Sequence, residues 1–185
     1  MKIKFLEQRI DYNGSQLKSH WIFQNSGILG NAAVAFIGHC AVDPEHMVDL
    51  VDLKEGKKIA SDEMLHFLVE LFDTTLDQTI VLQRLLVSLA QQEILFRLQK
   101  PVVVRAGNDL YEGDAKLSVS IATSSPVSTL IHYGLNISSA NTPVKTKGLN
   151  DYQIDPVPFA KTLLETFRHE VESLKEARAK VKPVP

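Results

Sequence analysis

Apolar and polar residues alternate over Lys2-Ile3-Lys4-Phe5, which reads as a strand ended by the turn dipeptide Asn13-Gly14. Ser15 then caps a short helix with Leu17 and Trp21 on one face, closed by Gly27 or Gly30. Ala32 to Ile37 and Met47 to Leu53 read as strands around the turn Asp43-Pro44, and Gly56-Lys57-Lys58 ends the second. Behind a cap at Ser61 or Asp62, residues Met64, Leu65, Leu68, Leu71 and Phe72 keep three- or four-residue steps. That spacing predicts a helix over Asp62 to Phe72. The next helix, Leu76 to Leu98, is apolar over an arc too wide for a free surface. It is expected to lie buried between a sheet and a solvent-facing helix.

Pro101 ends that helix, and Val102-Val103-Val104 is a continuous apolar run of the central-strand kind. Lys116 to Thr123 and Ser128 to Ile137 follow as strands joined by a turn at Ser124-Ser125-Pro126, and all three segments are expected to share one sheet. Asn141 to Tyr152 is polar and reads as a loop. Asp155 or a nearby residue caps the last helix, about Pro158 to Lys180, where Phe159, Leu163, Phe167, Val171, Leu174, Ala177 and Val181 recur at three- or four-residue steps. The order of elements predicts an α+β fold, a mixed sheet packed with helices, rather than a doubly wound one. The expected organisation is a single domain over residues 1–185, with 175–185 as a charged, frayed tail.

Composition narrows the function classes. A chain of 185 residues can bury a core without metal or disulfide help, and 44% hydrophobic against 23% charged residues excludes disordered and fibrous classes. A net charge of -2 leaves no electrostatic footprint for nucleic acid or anionic lipid. The apolar window Ile80 to Ala90 is broken by Gln83 and Arg84, too short for a span of ~20 residues, and Glu7, Arg9 and Asp11 interrupt any signal-peptide core. With Cys40 as the single cysteine, the expectation is a cytoplasmic protein that binds a small molecule, with neither nucleic acid nor membrane as partner and a homo-oligomer left open. The six histidines lack metal-ligand spacing, so no metal site is expected. His132, within an apolar strand, reads as a hydrogen-bonded core residue, and His66, on the expected helix, as structural.

Chemistry is concentrated in Arg105 to Ile137. Asn108-Asp109 sits at a turn, Lys116 at the start of a strand and Asn136 at the end of the next, so the three can converge on one end of a sheet. Arg105-Ala-Gly-Asn108-Asp109-Leu-Tyr111 resembles the Lys-Trp-Pro-Asn-Asp-Ile-Tyr segment of biotin protein ligases. Gly113-Asp-Ala-Lys116-Leu-Ser resembles their Gly-x-x-Lys-Ile-Ala, and Gly134-Leu-Asn136-Ile resembles their Gly-Ile-Asn-Val. Gly27-Ile-Leu-Gly30, Met64-Leu-His-Phe67, Gln83-Arg-Leu-Leu86 and the stretch from Lys116 to Val127 also resemble an uncharacterised family, domain-of-unknown-function family 366, over nearly the full length.

The ligase resemblance implies the fold of biotin and lipoate ligases, of the class II aminoacyl-tRNA synthetase and biotin synthetase type. It also implies a role for each matching residue. Lys116 would be the electrostatic catalyst, its ammonium holding an acyl carboxylate and a nucleotide α-phosphate. Asn108 and Asp109 would lie on the nucleotide side, with Arg105 where the family has lysine and Asn136 closing the same end of the sheet. Ser118 and Ser120 would offer hydroxyls to the ligand, and ATP, AMP or an acyl group would be the cofactor. Cys40 reads first as a buried small hydrophobe. A thioester route pairing it with Lys116, with His39 as base, is the lesser alternative. Two departures set a second expectation beside this one: no Gly-rich, Arg-containing loop precedes the blocks, and Val119 stands where the family has glycine. The first expectation is therefore an acyl or carboxylate ligase or transferase. The second is a non-catalytic binding or sensing module that kept the pocket and lost the loop.

Overall fold

The computed structural model describes residues 1–184. The strands are β1 (Lys2–Phe5), β2 (Ala32–Ala41), β3 (Ala60–Leu71), β4 (Val104–Ala106), β5 (Asp109–Glu112), β6 (Ala115–Lys116), β7 (Ser118–Ser124) and β8 (Thr129–Asn136); the helices are α1 (Trp21–Ser26), α2 (Leu50–Lys54), α3 (Leu76–Leu98) and α4 (Pro156–Lys180). Five strands form a mixed sheet in the order β1-β2-β3-β8-β7, with β1 parallel to β2 and the rest antiparallel. The other three, β4-β5-β6, form a small antiparallel sheet beside β7. Helices α3 and α4 cover one face of the large sheet, so the α+β class and the mixed, helix-packed sheet are as expected.

α3 and α4 lie side by side, α4 over β1 and β2 and α3 over β7 and β8. Phe159, Leu163, Phe167 and Val171 bury one stripe of α4, each contributing ~1.5–3 kcal/mol on burial. Asp155 caps α4 by accepting from the Val157 amide. Thr75 and Gln78 form a capping box at the start of α3, whose bounds are those expected. The arc of α3 is wide because it meets both the sheet and α4, not because a helix covers its back: Val81 and Phe96 face solvent at 65% and 70% exposure. The last helix continues to Lys180, into the segment expected to fray; residue 185 lies outside the described residues.

Four expected elements are different. The segment Asp62 to Phe72 is strand β3, not a helix, because it is central and buried on both faces from Met64 to Leu71. A strand covered on both sides loses its two-residue alternation and offers apolar residues at every spacing, helical steps included. Ser61 accordingly pairs with Cys40 in the sheet instead of capping a helix. Met47 to Leu53 is not a strand: Asp49 accepts from the Val51 and Asp52 amides and starts α2, leaving Val48, Leu50, Val51 and Leu53 exposed. Of the valine run only Val103 is buried, and the strand there, β4, belongs to the small sheet, so the three segments do not share one sheet. The first helix also starts late, at Trp21, because Ser15 is held in a turn by Asn13 Oδ1; Gly27 closes it with φ 74° as expected.

Candidate functional site

Two tight hairpins build the charged end of the site. Ala106 pairs with Asp109 and Glu112 with Ala115, leaving two-residue turns at Gly107-Asn108 and Gly113-Asp114. Each turn has glycine first, at φ 63° and 59°, as such hairpins require. Lys116 lies opposite Tyr111, and Asp109 is two residues from Tyr111 on the same face. A diagonal cross-strand neighbour is ~7–8 Å away at Cα, a gap a lysine stem spans. Lys116 Nζ accordingly reaches Asp109 Oδ2 at 2.7 Å. The Lys116 backbone is clamped from the other side, its amide donating to the Lys145 carbonyl and its carbonyl accepting from the Lys147 amide.

These residues line a cavity of about 700 Å³. Asn108, Asp109, Tyr111 and Lys116 form one wall, and Asn136, His132, Met64, Val119 and Ile121 form the floor. The segment around α2 closes the other side with His46, Asp49, Asp52, Lys57 and Lys58. Burial pushes the Asp109 carboxyl up from its ordinary value, an effect the Lys116 ammonium partly offsets. Asp109 Oδ1 is buried and has no hydrogen-bond partner among the described residues. The Lys116 ammonium, about a third exposed, thus has one carboxylate oxygen on one side and the open cavity on the other.

The floor carries a feature the sequence reading missed. His66 Nδ1 and His132 Nε2 are 3.1 Å apart, and the Tyr12 ring stacks on His132 with centroids 3.8 Å apart. Burial holds His66 down at about 3 and His132 well below its ordinary value, so both rings are neutral at pH 7. His132 is a hydrogen-bonded buried histidine as expected, but it also faces the cavity, and His66 reaches it from a strand rather than a helix. A signal was available. A polar residue inside a continuous apolar strand needs a buried partner, and two such histidines in adjacent strands can supply each other's.

The expected site residues divide clearly. Asn108, Asp109, Lys116 and Asn136 come together around the cavity. The Asn136 amide, 3.4 Å from both the Lys116 and Lys147 carbonyls, holds the backbone there, and Asn108 Nδ2 donates to the Ser120 carbonyl at 2.7 Å. Ser118 and Ser120 border the cavity, yet their hydroxyls are taken. Ser118 Oγ accepts from the Leu110 amide, and Ser120 Oγ accepts from Gln83 Nε2 and donates to the Asn108 carbonyl. They tie the small sheet to β7 and α3. Arg105 is exposed, off the cavity, and bonded to the Gly107 carbonyl. Cys40 is fully buried and does not line the cavity, and burial pushes its thiol up to about 12, away from the thiolate a nucleophile needs. Asp43, Glu45 and His46 bring ligand-type atoms within 4.8 Å of one another in a short loop, a local grouping without the spacings searched for in the sequence.

The family model described as "Domain of unknown function (DUF366)" matches residues 1–182. The chain is 35% identical, over its whole length and 86% of the relative, to an uncharacterized protein of Methanocaldococcus jannaschii. It is similar to the solved structure of a protein of unknown function from Pyrococcus horikoshi, with a TM-score of 0.92 and 38% identity covering 100% of this chain and 99% of that one. It also resembles biotin protein ligase from Aquifex aeolicus in complex with biotin and ATP: TM-score 0.62, 15% identity, covering 95% of this chain and 72% of the ligase. At that identity the likeness is one of fold. No helix among the described residues is long and apolar enough to cross a membrane.

Proposed function

The chain belongs to the domain-of-unknown-function family DUF366, and we propose that this protein uses the Lys116 ammonium to bind the carboxylate or phosphate of a small molecule, as an acyl or carboxylate ligase or transferase. The observation that carries this reading is the Lys116–Asp109 pair of 2.7 Å on the cavity wall. A ligand anion entering the cavity competes with Asp109 for the ammonium. The buried carboxyl, already pushed up, can then take a proton rather than remain an unpaired charge. A ligand held this way would have its developing negative charge stabilised by a fixed donor in a partly dehydrated site. The fold neighbour in complex with biotin and ATP, an acid and a nucleotide, supports a carboxylate ligand.

One observation favours a second reading, a binding or sensing module without catalysis. Val119 lines the floor where ligases have glycine, and the serine hydroxyls that could have met a ligand are engaged elsewhere. Carboxylate-dependent exchange of label between pyrophosphate and ATP separates the two. Exchange with any of biotin, lipoate or octanoate supports adenylation, and saturable binding without exchange supports the sensor.

A further inference from the structure

The cavity floor carries a second polar group, His132, apart from the Lys116–Asp109 pair on the wall. Asn136, Gly134 and His132 alternate along β8 on one face, so Asn136 and His132 are ~13 Å apart at Cα. Between them the floor is apolar. A Cβ on Gly134 would stand 2.3 Å from Met64 Sδ and 3.3 Å from Val119 Cγ2, so the thioether of Met64 and the valine side chain occupy the space over the glycine. Ile121 continues this surface. The cavity thus holds an ammonium on its wall, an apolar floor and an imidazole.

The orientation of that imidazole is set from below. With both rings neutral, the pair holds one N–H in its mutual bond and one at an outer nitrogen, either His66 Nε2 or His132 Nδ1. His66 Nε2 is buried and makes no well-formed hydrogen bond, but the Gly38 and His39 carbonyls lie beside the ring. Carbonyl oxygens repel a lone pair and attract an N–H, so the outer proton belongs on His66 Nε2. His132 Nε2 then donates to His66 Nδ1, and His132 Nδ1 is left as an acceptor on the cavity side. Tyr12, stacked within 10° of the ring plane, keeps it from turning.

We propose that His132 accepts a hydrogen bond from a donor at the far end of the bound molecule, with His66 as the positioning residue that selects its tautomer. The inference deepens the reading of the Lys116 end and rests on it. Together the two ends specify an unbranched carboxylic acid carrying a hydroxyl or amide at its other terminus. The test is calorimetric titration of octanoate, its ω-hydroxy derivative and its ω-amide into wild type, His132→Phe and His66→Phe. Wild type is expected to bind the two ω-substituted acids about fivefold or more above octanoate, the worth of one added neutral hydrogen bond. His132→Phe should lose the preference, and His66→Phe should weaken the preference more than the octanoate affinity. In wild type alone, the His132 Nδ1 resonance should move on adding the ω-hydroxy acid and not on adding octanoate, which holds even if a variant fails to fold. Equal binding of the three acids to wild type overturns the role of His132 and leaves that of Lys116 standing. Binding of none of them overturns both.

Discussion

The two ends of one cavity solve opposite problems. At the Lys116 end a charge is kept half in water, paired with one buried carboxylate and free to change partner. At the His132 end two titratable rings are sealed in the sheet and held neutral. The first arrangement leaves an ammonium facing the open cavity, as the proposed recognition of an anion requires. The second is built into the fold, since His66 and His132 sit on the central strands β3 and β8. Burial decides which kind of end a polar residue makes.

The largest expected effect tests whether the histidine end is as sealed as its burial implies. Both histidines have folded-state values below the unfolded ~6.5, so the unfolded chain binds more protons below that pH. Stability is therefore full above pH 6.5 and is lost as the pH falls toward about 3, where His66 itself titrates. His66 contributes about 1.4 kcal/mol per pH unit in that window, so denaturant melts at pH 7 and pH 5 should differ by about 2 kcal/mol from it alone, with His132 adding in the same direction. His66→Phe should flatten that slope, and an unchanged slope would mean that the pair does not stay neutral.

The join between the small sheet and α3 comes next. Ser120→Ala leaves Gln83 Nε2 and the Asn108 carbonyl without their buried partner and should cost about 2 kcal/mol in a urea melt. A cost below about 0.5 kcal/mol would free the hydroxyl for the ligand role expected from the sequence. Lys116→Ala should cost about 1–2 kcal/mol at neutral pH, because Asp109 is then buried without its counter-charge. That loss should shrink as the pH falls through the carboxylate range, since Asp109 is then protonated with or without the lysine. Arg105→Ala should change neither stability nor ligand affinity by more than about 0.5 kcal/mol, the arginine being exposed and off the cavity.

The charged end was legible in the sequence and the neutral end was not. Turn residues, a lysine and two asparagines in ordered blocks mark Asn108, Asp109, Lys116 and Asn136, because hairpin turns are local and glycine marks their first positions. The histidine pair depends on β3 and β8 being neighbours, a long-range fact hidden when a doubly covered strand imitates helical spacing. Helices α3 and α4 were legible since their caps and periods are local. The α2 segment was not, because Met47 to Leu53 is a short apolar run interrupted only by Asp49 and Asp52, and only the Asp49 cap reveals the helix. The serines show the same limit at single-residue scale: Ser118 and Ser120 were recognisable as polar residues on a strand, but their partners Leu110 and Gln83 come from other elements.

The claim on which the rest depends is that Lys116 holds an anion in this cavity. Calorimetric titration of octanoate into wild type and Lys116→Ala, with melting curves of both proteins, tests it directly. Removing a charge-assisted hydrogen bond of ~1.5–3 kcal/mol should weaken binding by roughly tenfold to over a hundredfold while the variant still melts cooperatively. Equal affinity in the two folded proteins would contradict the claim and leave Lys116 as the counter-charge of Asp109 and nothing more.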